Sequence, residues 1–146
     1  MSIESLTSPN ASSEASVLTP LAIAGVSEAT VLRYFETLNA SNFQATGKLF
    51  AAEGMLQPPF EKPVVGAEAI VAYLQAEAKD LILQPRQGNS RLLEDGSTEI
   101  TVTGKVQTPL FSVNVSWLFM LDHEHNLLLA KIKLLASPQE LLSLRS

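Results

Sequence analysis

The chain has 146 residues, a net charge of −5, and 46 % apolar against 17 % charged residues, enough for one domain with a real core and too apolar for a disordered chain. No basic run marks a nucleic-acid-binding face, and the absence of cysteine excludes disulfides, thiolate nucleophiles and Cys-based metal sites. No apolar run reaches the roughly 18 residues that a membrane span needs.

Residues 1–25 are expected to form a flexible tail, Ser-rich up to about residue 16 and apolar around Pro20. The first residues carry Glu4 and Glu14 but no Lys or Arg, which does not resemble a signal peptide, so a cytoplasmic protein is expected. The folded body is expected over residues 26–136. "SEATVLRYFETLN" reads as a helix, with Ser27 as its N-cap and one apolar stripe of Val31, Tyr34, Phe35 and Leu38. Asn39 is expected to end it. Ser41 then caps a second helix, "SNFQATGKLF", whose buried side would be Phe43, Leu49 and Phe50. "GMLQPPFEKPVVG" holds three prolines, which leaves room for a short edge strand at Met55–Gln57. "GAEAIVAYLQAEAKDL" is rich in good helix formers and predicts a third helix.

From residue 81 the period changes to two. "LILQPRQGNSRLLE" predicts a strand broken at Pro85, and Asp95-Gly96 predicts a hairpin turn. "STEITVTGKVQTP" places Ile100, Val102, Gly104 and Val106 on one face. "SVNVSWLFML" places Val113, Val115, Trp117, Phe119 and Leu121 on one face. "DHEHN" makes a turn, and "LLLAKIKLL" is a strand with Leu128, Ala130, Ile132 and Leu134 inward and Lys131 and Lys133 on the other side. Residues 137–146 are expected to form a helical tail, with Ser137, Pro138 and Glu140 building a capping box. The order of elements predicts an α+β fold: three helices on one face of a curved, mainly antiparallel sheet, with an apolar cavity between the layers.

Catalysis in such a cavity needs an inward acid or base, and the inward strand faces carry none. Glu36 and Glu77 are the helix carboxylates within reach, and such residues are usually solvated. His123 and His125 have a metal-ligand spacing, but two imidazoles alone rarely hold an ion, so exposed turn residues are the expectation. Tyr34 and Trp117 each combine a large apolar body with one polar handle. Either they fill the core, or they are two donors suited to a long apolar ligand that ends in a ketone.

"VLRYFETLNASNF", "GMLQPPFEKPVVGAEAI", "TVTGKVQTP" and "LLASPQELL" together resemble the C-terminal domain of the cyanobacterial orange carotenoid protein, within the nuclear-transport-factor-2-like (NTF2-like) superfamily. The resemblance runs from about Val26 to the C-terminus. With no helical carotenoid-binding domain in the chain, it is similar to the family's free-standing C-terminal domain homologs. It implies an NTF2-like cone that binds a ketocarotenoid, canthaxanthin or echinenone, without catalysis. Tyr34 and Trp117 match the family's two donors to the ring ketone. Leu110, Phe119, Val102, Val106, Ile132 and Leu134 are the other candidate carotenoid-binding residues.

The resemblance further implies a carrier that takes carotenoid from membranes, with transient thylakoid association, and delivers it to helical carotenoid proteins in support of photoprotection. It implies a homodimer sharing one carotenoid. A domain of this length has a radius of gyration of roughly 14 Å, so a long rigid rod would protrude, and a second protomer would cover the remainder. Three features depart from the family. Leu110 replaces a tryptophan, the stretch from "TPLF" to Trp117 is short, and Lys131 and Lys133 replace an apolar and an acidic type. With no cysteine, a dimer would be non-covalent. The C-terminal helix, through Leu141, Leu142 and Leu144, is a candidate flap over the cavity or the sheet face. The alternatives are an isomerase or dehydratase with a pocket carboxylate, and a dimerising module with a vestigial cavity.

Overall fold

A computed structural model describes residues 21–135 of the chain. Its first helix, α1 (Ala29–Asn39), buries Val31, Tyr34, Phe35 and Leu38, the stripe that the spacing predicts. The cap differs from expectation. Glu28, not Ser27, occupies the N-cap position, and it makes no side-chain cap bond. Its carboxylate instead faces His125 Nδ1 at 3.1 Å, and Thr30 Oγ1 donates to the His125 carbonyl at 2.7 Å. The helix start is therefore pinned by a distant hairpin turn.

Helix α2 (Phe43–Gly47) is capped by Asn42, whose Oδ1 accepts from Ala45 N at 3.4 Å. Ser41, the expected cap, sits instead at the left-handed corner (φ 56°) that turns the chain out of α1. The second helix is also shorter than expected, because Phe50 already opens strand β1 (Phe50–Gln57). After the two-residue strand β2 (Val64–Val65) comes α3 (Ala67–Glu77), which buries Ile70, Val71 and Leu74.

Four longer strands follow: β3 (Ile82–Leu92), β4 (Thr98–Gln107), β5 (Ser112–Leu121) and β6 (Leu127–Leu135). The sheet order is β2-β1-β6-β5-β4-β3. β1 is thus an interior strand, parallel to β6, where a short edge strand was expected. Pro58 and Pro59 lie beyond its last residue, so residues 50–57 keep every N–H needed for pairing on both sides. Among the named strands the sheet is mixed, with this one parallel pair among antiparallel ones.

Pro85 does not break β3. The strand continues through a register shift between Pro85 and Gln87. An edge strand tolerates a missing N–H and absorbs the extra residue as a bulge. A second irregularity, at Met120/Leu121 opposite β6, reverses the parity of the start of β6. Leu127 is therefore buried and Leu128 is exposed, contrary to the inward reading of Leu128. Lys131 and Lys133 pair with Leu118 and Ser116 on the outer face, as expected.

The folded body begins before Val26. Ile23 is buried, Ala24 pairs with Gln87, and Gly88 N donates to the Ala24 carbonyl at 2.9 Å. Gly25 (φ 84°) lies so close to the Gly88 carbonyl that a Cβ would collide with it. Residues 21–25 are therefore docked along β3, not part of a tail. Residues 1–20 and the expected C-terminal helix of 137–146 lie outside the described residues. Among those described, no helix is long and apolar enough to cross a membrane.

Candidate functional site

Four aromatic rings join α1 to the inner face of β5. Phe35 meets Trp117 edge-on at 4.8 Å and Phe119 at 5.7 Å, while Tyr34 meets Phe35 at 5.3 Å and Phe119 at 5.0 Å. T-shaped contacts of this kind fix ring orientation as well as burying area. Phe35 and Phe119 fill the core. Tyr34 and Trp117, at its edge, form the floor of a cavity of about 310 Å³.

The rest of the cavity is almost wholly apolar. Leu38 of α1, Leu74 and Ala78 on the α3 side, Leu56 of β1, Leu83 of β3, Val113 and Val115 of β5 and Ile132 of β6 form its walls. Pro58 is a further buried wall residue, and the partly or fully exposed Pro59, Tyr73, Glu77, Thr108, Phe111 and Leu134 surround its mouth. A shallower depression of about 610 Å³ over Ser41, Phe43, Gln75, Lys79 and Asp80 is larger, but it lies open on the surface away from the aromatic cluster. Ligand sites are concave, apolar and furnished with a few convergent polar groups, and the cavity over Trp117 has that character.

Its polar groups are specific. Tyr34 is 2 % and Trp117 1 % exposed. Among the described residues, neither the Tyr34 hydroxyl nor the Trp117 indole N–H has a hydrogen-bond partner. Burial pushes the Tyr34 phenol far above its ordinary value, so it stays protonated and able to donate. A buried donor without an acceptor costs about 1–3 kcal/mol. Two of them beside one apolar cavity make a site that gains from an uncharged acceptor. The residues present therefore fit a ketone-ended apolar ligand.

At the mouth, Tyr73 Oη donates to Glu61 Oε2 at 3.2 Å. Partial burial and then the Glu61 charge push its pKa up to about 12. Glu77 is the one carboxylate among the described lining residues, and it is exposed. Glu36 lies outside the cavity, where its carboxylate accepts from Leu21 N at 3.2 Å. His123 and His125 sit in the β5–β6 turn, and among the described residues no group of three metal-ligating side chains occurs.

The candidate residues divide. Tyr34, Trp117, Val106, Ile132 and Leu134 line the cavity together. Val102 and Phe119 do not, because they lie deeper along β4 and β5, fully buried against the helices. Leu110 does not line it either: it projects outward, 88 % exposed, and the neighbouring Phe111 faces the cavity in its place. Strand parity shows which face a residue occupies but not how far along the strand the cavity reaches. Val113 and Val115 share the parity of Trp117 and could have been found from it. Leu38, Leu56, Tyr73 and Leu83 come from four separate elements, and no local signal joins them.

Residues 26–128 match the nuclear transport factor 2 (NTF2) domain. The chain is 47 % identical over 135 residues to the orange carotenoid-binding protein of Limnospira maxima, covering 90 % of this chain and 43 % of that protein. It is 45 % identical over 129 residues to the protein of the same name from Synechocystis sp., covering 86 % and 41 %. Its fold superposes on the orange carotenoid protein of Anabaena (Nostoc) sp., solved binding canthaxanthin, with a TM-score of 0.79 and 42 % identity, over 88 % of this chain and 43 % of that one. The chain spans less than half the length of these relatives, a portion the size of their C-terminal domain. With a matching stretch that takes in most of its residues and the α+β fold described above, the chain belongs to the nuclear transport factor 2 (NTF2) domain family.

Proposed function

We propose that this chain is a non-enzymatic binding protein for a ketocarotenoid, canthaxanthin or echinenone. The observation that carries the reading is the pair of buried donors, Tyr34 and Trp117, without a partner among the described residues, on the floor of one apolar cavity. A ring ketone offers an acceptor without charge, and its polyene needs apolar walls. The similarity to orange carotenoid proteins supports the same reading. The one carboxylate among the described lining residues, Glu77, is exposed at the rim, which favours binding over proton abstraction.

A cavity of about 310 Å³ is at the small end of ligand pockets, which run from roughly 300 to 1,000 Å³. It holds a ring end and the first part of a polyene, and the rest emerges at the mouth. The protein therefore acts as a homodimer, with one carotenoid shared between two mouths, which removes the apolar rod from water. It works as a carrier: it takes carotenoid from thylakoid membranes by transient contact, delivers it to helical carotenoid proteins from the cytoplasm, and so supports photoprotection.

The test is an absorption spectrum after mixing the protein with canthaxanthin in detergent, followed by gel filtration. The expected result is a coloured protein with a red-shifted band. Tyr34→Phe, which keeps the ring and removes one donor, should bind about tenfold more weakly, as loss of one hydrogen bond implies. A colourless wild-type protein overturns the proposal.

A further inference from the structure

Among the described residues, nine large apolar side chains are exposed, and six of them (Phe60, Ile82, Leu110, Phe111, Leu134 and Leu135) lie at one end of the sheet. The strand register brings them together: Ile82 is opposite Gln107, Gln107 opposite Ser112, and Leu135 opposite Asn114. This is the end at which the cavity opens.

The two loops flanking the mouth hold their tips outward. In the β1–β2 loop, Phe60 is 91 % exposed and adopts φ 62°, a left-handed conformation rare for an aromatic residue. The next residue, Glu61, is tied to Tyr73 of α3. In the β4–β5 turn, Thr108 Oγ1 accepts from the Leu110 and Phe111 amides at 3.2 and 3.0 Å, and Thr108 N donates to the Phe111 carbonyl at 2.8 Å. That turn leaves Leu110 88 % exposed. An aromatic held in water by an unfavourable backbone points to a role for that side chain.

The charge pattern identifies the partner. No charged residue occurs between Lys105 and Asp122, so the whole β4–β5 turn is uncharged, while the chain as a whole carries −5. In the β1–β2 loop the charges of Glu61 and Lys62 cancel, so the two loops together carry no net charge: they gain nothing from anionic headgroups and are attracted by hydrocarbon. Separate projecting tips around an opening suit lipid, which closes round each one.

We propose that Phe60 and Leu110 are wedges that seat the cavity mouth in the surface of a bilayer with electrically neutral headgroups. The inference rests on the carrier reading and gives it a docking surface: an apolar ligand would pass between bilayer and cavity without crossing water. Moving one such side chain from water into hydrocarbon changes partition by about tenfold or more, so two wedges give reversible attachment.

The test is flotation of the ligand-free protein with phosphatidylcholine vesicles, with far-UV circular dichroism to check folding. Wild-type protein should float with the vesicles, insensitive to salt and no better when phosphatidylglycerol is added. Phe60→Ser combined with Leu110→Ser should lose at least tenfold in partition and slow uptake from canthaxanthin-loaded vesicles. Since neither residue lines the cavity, it should give the wild-type spectrum when loaded from detergent. Leu92→Ser, an exposed leucine at the far end of β3, should behave as wild type.

Failure of the wild type to float overturns the inference, as does a double variant that floats equally well. A double variant that becomes monomeric with unchanged flotation assigns the surface to a second copy and also overturns it. Flotation without colour from detergent would sink the carotenoid reading and leave the docking surface standing.

Discussion

Tyr34 shows how one atom separates structure from function. Its ring is held by edge contacts to Phe35 and Phe119 at 5.3 and 5.0 Å, and its hydroxyl has no partner among the described residues. A structural tyrosine would lose stability on conversion to phenylalanine. Here Tyr34→Phe should leave the ligand-free protein equally stable or raise its stability by about 1 kcal/mol, because an unpaired buried hydroxyl is removed. Thermal unfolding of the ligand-free variant measures this, and a fall of about 1 kcal/mol or more would assign the hydroxyl to a structural bond. Phe60 is strained by its backbone instead. Left-handed geometry costs an L-residue about 1–2 kcal/mol, more than glycine's added freedom in the unfolded chain. Phe60→Gly should therefore raise stability by roughly 0.5 kcal/mol in a denaturant titration while it weakens vesicle attachment.

At the scale of elements, the cavity depends on joints between helix and sheet. The Asn39 side chain at the end of α1 donates to the Leu83 carbonyl at 2.9 Å and accepts from Leu83 N at 2.8 Å. It pairs with β3 as a neighbouring strand would, at the residue whose side chain lines the cavity. Asn39→Leu strands both backbone groups and should cost about 2 kcal/mol, with faster amide exchange at Leu83 as the local signature. The hairpin turns are held by carboxylates. Asp122 Oδ1 accepts from the Asn126 and Glu124 amides at 2.9 Å each, and these bonds, Asn126 foremost, hold its pKa below the ordinary value. A carboxyl depressed in the folded state contributes stability that is complete above its unfolded pKa, about 3.9, and is lost as pH falls through the folded value. The melting temperature should therefore decline below about pH 4, and less steeply in Asp122→Asn. Equal slopes would show that the turn does not take part.

For the whole molecule, an apolar cavity and two donors without a partner among the described residues are features that a ligand corrects. Ligand at 100 times its Kd adds about 2.7 kcal/mol of stability, which for a domain of this size raises the melting temperature by roughly 5–10 °C. Melting with and without canthaxanthin checks this, and an unchanged transition would count against the cavity as the binding site. The same architecture explains why its two ends differ. The closed end is packed with Phe35, Phe119, Leu121 and Leu127, whereas the open end is ringed by exposed apolar side chains.

By itself, the sequence determined the elements and their faces. Period 3.6 in α1 and period 2 in β4 and β5 place side chains on one side or the other of an element, which was enough to put Tyr34 and Trp117 inward and to expect an α+β cone. The family relation was legible in a few specific stretches for the same local reason. Only the tertiary structure decided what lies between elements. Pairing of β1 with β6 made an interior strand from a segment read as an edge, and the irregularity at Met120/Leu121 exchanged Leu127 for Leu128. Curvature decided where the cavity ends, which leaves Val102 and Phe119 in the core and turns Leu110 away from it in favour of Phe111. Periodicity encodes direction relative to one backbone. Depth and mouth are properties of several backbones at once, and they arise only when residues 34, 56, 83, 111 and 117 meet.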